Sequence, residues 1–218
     1  MIRIGRHRGL RRALWNLRVE LYVLFRHLKG LRRARTISTQ EPLRLNLGSY
    51  DDLREGWVNV DAFLKRGSLT IDLREPMPFP DGSVELAHAE HFLEHVFEDE
   101  AQELLNECFR VLRPGGTLSI AVPDAEPLLR AYANGDSEFF DRYAETVPEG
   151  HALPTPMGQI NYLFRGATTH QYAYDEETLR LLIERAGFVD VHRRDFDPDL
   201  DLEVRREGTL RMGGTKPT

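Results

Sequence analysis

The sequence predicts an α/β domain built on a seven-stranded, mostly parallel sheet with helices on both faces, preceded by an N-terminal amphipathic helix. Three observations predict it. Short apolar runs of strand length alternate with segments of helical spacing, the pattern of parallel sheets covered on both sides. Three of those runs end on Gly48, Asp61 and Asp72, and ligands of such sheets bind at the carboxyl ends of strands. The charge also divides sharply. Residues 1–35 hold eleven Lys/Arg and one acid, a charge of +10, whereas the rest of the 218-residue chain carries −16, for a net charge of −6. A split of this kind marks an arm and a body with different surroundings.

Composition bounds the class. At 41% hydrophobic and 29% charged residues the chain can bury a core without covalent staples. Cys108 is the only cysteine, which excludes a disulfide framework and a Cys-based zinc site and suits a reducing compartment. No apolar run approaches the ~20 residues that span a bilayer. The Arg-rich start lacks the apolar run and small-residue cleavage site of a signal peptide. The expected location is the cytoplasm, with peripheral contact at the inner face of the membrane as an extension.

In the arm (residues 1–35), leucines at 10, 14, 17, 21, 24, 28 and 31 step by 4 and 3 alternately, a heptad seam. Trp15, Val19, Tyr22, Val23 and Phe25 widen the apolar face, while Arg11, Arg12, Arg18, Arg26 and Lys29 line the remainder. The spacing predicts a helix over 8–29, stopped near Gly30. Its leucines are expected to dock on sheet surface of the body, to self-associate, or to meet a partner helix. A basic amphipathic helix with aromatics also suits an anionic membrane surface. Nucleic acid is not expected as a partner, because the acidic body would repel it. Residues 36–42 read as a linker, and 43–218 as the body.

Within the body, strands are expected at "LRLNL" (43–47), "WVNV" (57–60), "LTI" (69–71), "VELAHA" (84–89), "TLSIAV" (117–122), "FVDVHRRDF" (188–196) and "GTLRMGGT" (208–215). Three prolines and a glycine in "PMPFPDGS" exclude helix and central strand there. Helical spacing covers 98–112 until "RPGG", and 124–143 with a break at Asn134-Gly135. Prolines and glycines make 146–170 read as a loop-rich lid. Asp175 caps a helix that ends at Gly187.

The stretch "AEHFLEHV" holds His91, Glu94 and His95 as H-x-x-E-H. On a continuous helix this is a zinc-hydrolase motif. Here a strand-like run feeds straight into it, so a strand-to-helix junction is expected and no metal ligands are assigned. A zinc hydrolase stays as a remote alternative. Glu94 and His95 read as a local ion pair or cap.

"LNLGSYDDLREGWVNVDAF", "IDLREPMPFPDGSVELAHAEHFLEHV", "ECFRVLRPGGTLSIAVPD" and "HQYAYDEETLRLLIERAGF", which cover residues 43–188 with gaps, resemble the class I S-adenosylmethionine-dependent methyltransferases. More narrowly they resemble small bacterial proteins of that class associated with glycan modification. The resemblance implies a Rossmann-like sheet and S-adenosylmethionine as cofactor. It assigns Gly48, with Leu47 and Ser49, to the methionine end of the cofactor, Asp61 to ribose, Asp72 and Leu73 to adenine, and Glu90 and His91 to the neighbourhood of the methyl group. A carboxylate suits ribose because it accepts from both vicinal hydroxyls. A hydroxyl acceptor needs a general base, for which His91 comes first and His170 second, with His151 behind them. The implied function is methyl transfer to a hydroxyl of a sugar, glycan precursor or other polar small molecule. The sequence departs from the family at Tyr50, where a second Gly is usual. It departs again in the 13 residues from Gly48 to Asp61, which leave room for about one helical turn. These departures give the alternative function: a non-catalytic methyltransferase-like adaptor with a degenerate cofactor site, working through its N-terminal helix.

Overall fold

The structure, a computed structural model, describes residues 7–37, 39, 41–63, 67–148, 150–166 and 169–218. The first six residues of the arm and Ser38 and Gln40 of the linker lie outside them. Six strands, β1 (Leu43–Leu47), β2 (Val58–Val60), β3 (Val84–Glu90), β4 (Leu112–Pro123), β5 (Val189–Arg193) and β6 (Thr209–Thr215), form one sheet in the order β2-β1-β3-β4-β6-β5. β1 runs parallel to β2 and β3, and β3 parallel to β4, whereas β6 is antiparallel to both neighbours. The carboxyl ends of β1 to β4 and the start of β6 therefore share one rim. The central strands are buried on both faces: Leu45, Leu47, Ala87, Ala89, Leu118 and Ile120 share the apolar one, and Asn46, His88 and Ser119 are buried on the other, where the His88 ring pairs with the Ser119 hydroxyl.

Six α-helices complete the described chain: α1 (Arg8–Ala34), α2 (Glu98–Val111), α3 (Ala125–Asn134), α4 (Ser137–Ala144), α5 (Pro156–Arg165) and α6 (Glu176–Arg185). Asp124, Asp136, Thr155 and Asp175 cap α3 to α6, each accepting a backbone N–H of the first turn. α5 corrects the reading of 146–170 as loop. Thr155 takes the N–H of Gly158, Pro156 sits in the first turn, and Gly166 ends the helix at φ 45°. The prolines that suggested a loop thus include one placed where a helix tolerates it.

Among the described residues the sheet has six strands, not seven. The expected strand at 69–71 is reduced to one parallel bridge between Val60 and Leu69. The reason lies in α1, which occupies that edge. Arg33 donates to the Ser68 carbonyl, the Thr70 hydroxyl donates to the Arg26 carbonyl, and the Asp72 N–H donates to His27 Nδ1. Gly30 lies so close that a Cβ there would stand 1.9 Å from the Thr70 oxygen. A helix covering an open sheet edge satisfies groups that a further strand would otherwise seek.

α1 runs five residues or so past the expected stop because Gly30 serves packing instead of termination. The expectation that its leucine seam docks on the body is overturned. The docked residues are Val23, His27, Gly30 and Ala34, whereas Leu10, Leu14, Leu17, Leu21, Leu24 and Leu28 are 41–57% exposed. Of the seven leucines only Leu31 packs against the core. Close approach to the strand edge selects the face carrying Gly30 and Ala34, the small residues. Between β1 and β2 the chain forms turns and no helix, as the short spacing implies.

Candidate active site

Of the non-glycine residues with positive φ among the described residues, Tyr50 (φ 35°) and His91 (φ 52°) both lie on the shared rim, just after β1 and β3. Left-handed backbone at bulky residues is strained and collects at functional sites. Gly48 has φ 70°, and a Cβ there would meet the Phe92 ring at 2.4 Å. The glycine is thus required by Phe92, which the sequence reading did not single out.

Around this turn lie the residues expected to hold a cofactor. Ser49 is buried, and its hydroxyl has no hydrogen-bond partner. Asp61, also buried, accepts the Tyr50 N–H at 3.0 Å and the Phe63 N–H at 2.7 Å, one on each oxygen. Glu90 accepts the Leu202 N–H at 3.1 Å, and burial raises its carboxyl above the usual range, against that bond and Arg205. Arg54, absent from the sequence reading, lies 3.9 Å from Glu90, donates to the Leu200 carbonyl, and keeps Nη1 buried without a partner. A buried guanidinium nitrogen and a buried hydroxyl without partners fit the carboxylate and ammonium of an amino-acid end.

The adenine end is built differently. Leu47 and Leu73 belong to the core, at 1% and 3% exposure. Asp72 is gripped by Arg74 through both oxygens, and Arg74 reaches on to Glu20 of α1 at 2.8 Å. Burial opposes ionisation of Asp72, but Arg74 and His27 hold its carboxyl below the usual range. Its carboxylate is therefore engaged by α1's network. The residues present fit the methionine and ribose portions of S-adenosylmethionine, and an adenine amine would share Asp72 with Arg74.

Next along the rim, Leu93–His95 forms a single 3-10 turn after β3. The helix required by the zinc-hydrolase motif is absent there. The turn places His91 Nδ1 3.5 Å and His95 Nε2 3.9 Å from Glu94 Oε1. The 170–174 segment is latched onto it, since Gln171 N–H donates to the Glu94 carbonyl at 2.7 Å and the Tyr174 hydroxyl to the Leu93 carbonyl. The latch brings His170 edge-on to His95 at 4.9 Å between ring centres. A Cβ at Gly166 would strike the His170 ring, so the glycine that ends α5 also makes room for that histidine. His91, Glu94, His95 and His170 thus form one cluster, and Glu94 is no simple cap: it is buried, and neither carboxylate oxygen has a hydrogen-bond partner. Burial pushes its carboxyl up to about 8, with Arg205 opposing. Burial, reinforced by Arg205, His170, His95 and Arg211, pushes His91 down to about 3. Burial also lowers His95 and His170, so all three imidazoles are neutral near pH 7. His151 lies apart, edge-on to Tyr162.

His91 and His170 open onto a cavity of about 940 Å³ in front of β3, β4 and β6. Its walls include Phe139, Tyr143, Tyr162 and Phe196 and a ring of arginines, among them Arg142, Arg205 and Arg206. Its roof is fixed by Asp201, which is buried and takes Arg194 through both oxygens at 2.6 Å, with Arg211 at 3.2 Å.

The sheet with one reversed strand, and a strained, polar rim at its carboxyl end, define an α/β fold of the kind that binds ligands at its strand ends. Comparison shows what it is similar to. Residues 58–120 match the family model of a methyltransferase domain. The chain is 31% identical over 121 residues to the ubiquinone/menaquinone biosynthesis C-methyltransferase of Cronobacter sakazakii, a match covering 54% of this chain and 44% of that protein. It is 32% identical over 117 residues to the enzyme of the same name from Erwinia tasmaniensis, covering 52% and 42%. The chain therefore spans less than half the length of these relatives. A crystal structure of an S-adenosylmethionine-dependent methyltransferase from Archaeoglobus fulgidus shares the fold, with a TM-score of 0.50 and 17% identity over 88% of this chain and 94% of that one. Over residues 58–120 the chain is thus similar to methyltransferase domains, and its fold is one that an S-adenosylmethionine-dependent methyltransferase shares.

Proposed function

We propose that the chain transfers a methyl group from S-adenosylmethionine to a hydroxyl of a sugar, glycan precursor or other polar small molecule. The observation that carries this is the arginine-ringed cavity of about 940 Å³ opening at His91 and His170. S-adenosylmethionine supplies a methyl group already activated on a sulfonium. The protein's part is to hold the acceptor in line, exclude water and receive a proton. Ser49, Arg54 and Asp61 hold the donor. Arg142, which has no ion-pair partner among the described residues, and Arg205 give the acceptor's anionic or polar groups fixed points. His91, neutral and on the cavity wall, is placed to orient the acceptor's hydroxyl, although burial that holds it down to about 3 leaves it a weak base. A methylation assay against sugar, sugar-phosphate and quinone-type acceptors tests this. Arg142→Ala should raise KM for the favoured acceptor at least tenfold with little change in kcat. Turnover of quinone-type acceptors alone would replace the reading.

That second reading, methylation of a quinone ring carbon, is favoured by the names of the curated relatives and by the aromatic residues of the cavity. There the methyl group replaces a hydrogen of the electron-rich, quinol-type ring, and a base must receive the proton that leaves.

We also infer that the outward leucine seam of α1 rests on an anionic lipid surface. The seam is flanked by arginines, and the arm's charge of +10 complements anionic lipid, whereas a second copy would bring the same charge again. Among the described residues no helix is long and apolar enough to cross a membrane, so the contact would be peripheral.

A further inference from the structure

We propose that Glu94, His95 and His170 form a binding site for one divalent first-row transition-metal ion, of the zinc class, on the wall of the cavity. One ligand atom from each lies within 4.8 Å of the others. Ligand atoms of a tetrahedral zinc site with bonds of ~2.0–2.1 Å lie about 3.3 Å apart. Small side-chain rotations therefore close the set.

The hydrogen bonds fix where the lone pairs point. His170 Nδ1 lies 2.6 Å from the Leu163 carbonyl oxygen, which only accepts, so Nδ1 carries the proton and Nε2 the lone pair. His95 Nδ1 faces the Thr169 carbonyl oxygen at 3.4 Å, with the same consequence for its Nε2. Carbonyl partners behind ligating imidazoles are the usual means of setting their tautomer. Glu94 adds two oxygens that meet no donor, although its side chain is only 2% exposed. One buried carboxyl without a hydrogen-bond partner thus meets two imidazole lone pairs at the more open side of the cluster, a set of acceptors that a cation would complete. Arg205, whose guanidinium donates to the Glu90 carbonyl, lies near enough to oppose a cation electrostatically and does not fill the role.

The chemistry of the set selects the ion. Two imidazoles and one carboxylate without thiolate suit zinc, iron or manganese, and magnesium prefers an all-oxygen shell. His170 also lines the cavity, so three protein ligands leave a position facing the acceptor, the layout of a catalytic instead of a structural ion. Binding of the ion stands on these residues alone. Its use, to orient an acceptor oxygen, rests on the methyl transfer proposed above.

The test is calorimetric titration of the chelator-treated, full-length chain with Zn²⁺, without cofactor or acceptor, so that failure of the methyltransferase reading has no bearing on it. The expected result is one ion per chain. Affinity should fall at least tenfold in Glu94→Gln and in His95→Asn, each checked for folding by circular dichroism. It should stay unchanged in His192→Ala, an exposed histidine outside the cluster. No saturable uptake, or equal affinity in both cluster variants that fold, overturns the site. Loss of binding in His192→Ala overturns it too, because the ion would then sit elsewhere.

Discussion

Tyr50 stands at φ 35° with its side chain mostly exposed, where the family resemblance expects glycine. Tyr50→Gly relieves left-handed strain of roughly 1–2 kcal/mol and adds unfolded-state entropy of about 0.5–1 kcal/mol. Stability by urea titration should therefore change by no more than about 1 kcal/mol, and cofactor affinity should be equal or improved. A large loss of affinity would show that Tyr50 belongs to the site. Asp61 makes the complementary case. Its carboxylate ties the Tyr50 and Phe63 backbones together, so Asp61→Ala should lower the melting temperature as well as cofactor affinity, the latter by roughly 1–3 kcal/mol. A less stable variant with unchanged affinity would make Asp61 a loop anchor and remove it from the ribose assignment. These rim residues were legible because strand ends and turn chemistry are local. Arg54 and Phe92 were not, since their significance arises only when β1, β2 and β3 are side by side.

At the scale of elements, α1 shows how a periodic signal can be right about the helix and mislead about its docked face. Seven leucines at heptad spacing suggested a buried seam. The strand edge at 68–72 instead demands close approach, and only the face with Gly30 and Ala34 permits it. Gly30→Val should detach this docking, because the new Cβ would stand 1.9 Å from the Thr70 oxygen. Hydrogen exchange should then quicken across 8–34 while the strands β3 and β4 stay protected. Unchanged exchange would place the helix's support elsewhere. The exposed leucines carry their own test. Full-length protein should sediment with vesicles containing phosphatidylserine and be released in part at high salt, because exposed charge attraction is screened over ~8 Å at physiological ionic strength. A chain that ignores such vesicles yet dimerises through its first 35 residues would assign the seam to a second copy. The missed helix α5 has the same lesson: Pro156 and Gly166 look like loop residues singly, and become start and stop signals once Thr155 is seen as a cap.

At the scale of the whole molecule, Asp201 holds the cavity roof to Arg194, just after β5, and to Arg211 of β6. Burial pushes its carboxyl up, but the arginines and the Asp197 N–H outweigh it, and the folded value lies below the usual range. The sign follows from linkage. The stabilisation is present above the unfolded value of ~3.9 and is lost as pH falls through the lower folded value. Acid unfolding below about pH 4 should therefore be steeper in the wild type than in Asp201→Asn. Asp201→Ala should cost about 3 kcal/mol at neutral pH, because the buried guanidinium of Arg211 and the partly buried one of Arg194 lose their partner. Equal acid profiles would mean that the roof is held by other contacts. The order of elements, the parallel core and the rim were legible in the alternation of strands and helices. The cavity was not, because its walls come from segments near residues 91, 124, 142, 170 and 205, which no local pattern joins.

The central claim is that the rim binds S-adenosylmethionine, and titration of the full-length chain with that cofactor by calorimetry tests it most directly. Saturable one-to-one binding, weakened in Asp61→Ala, is the predicted result. No binding up to millimolar cofactor, from protein shown to be folded, would contradict the account and leave a methyltransferase fold that acts without its methyl donor.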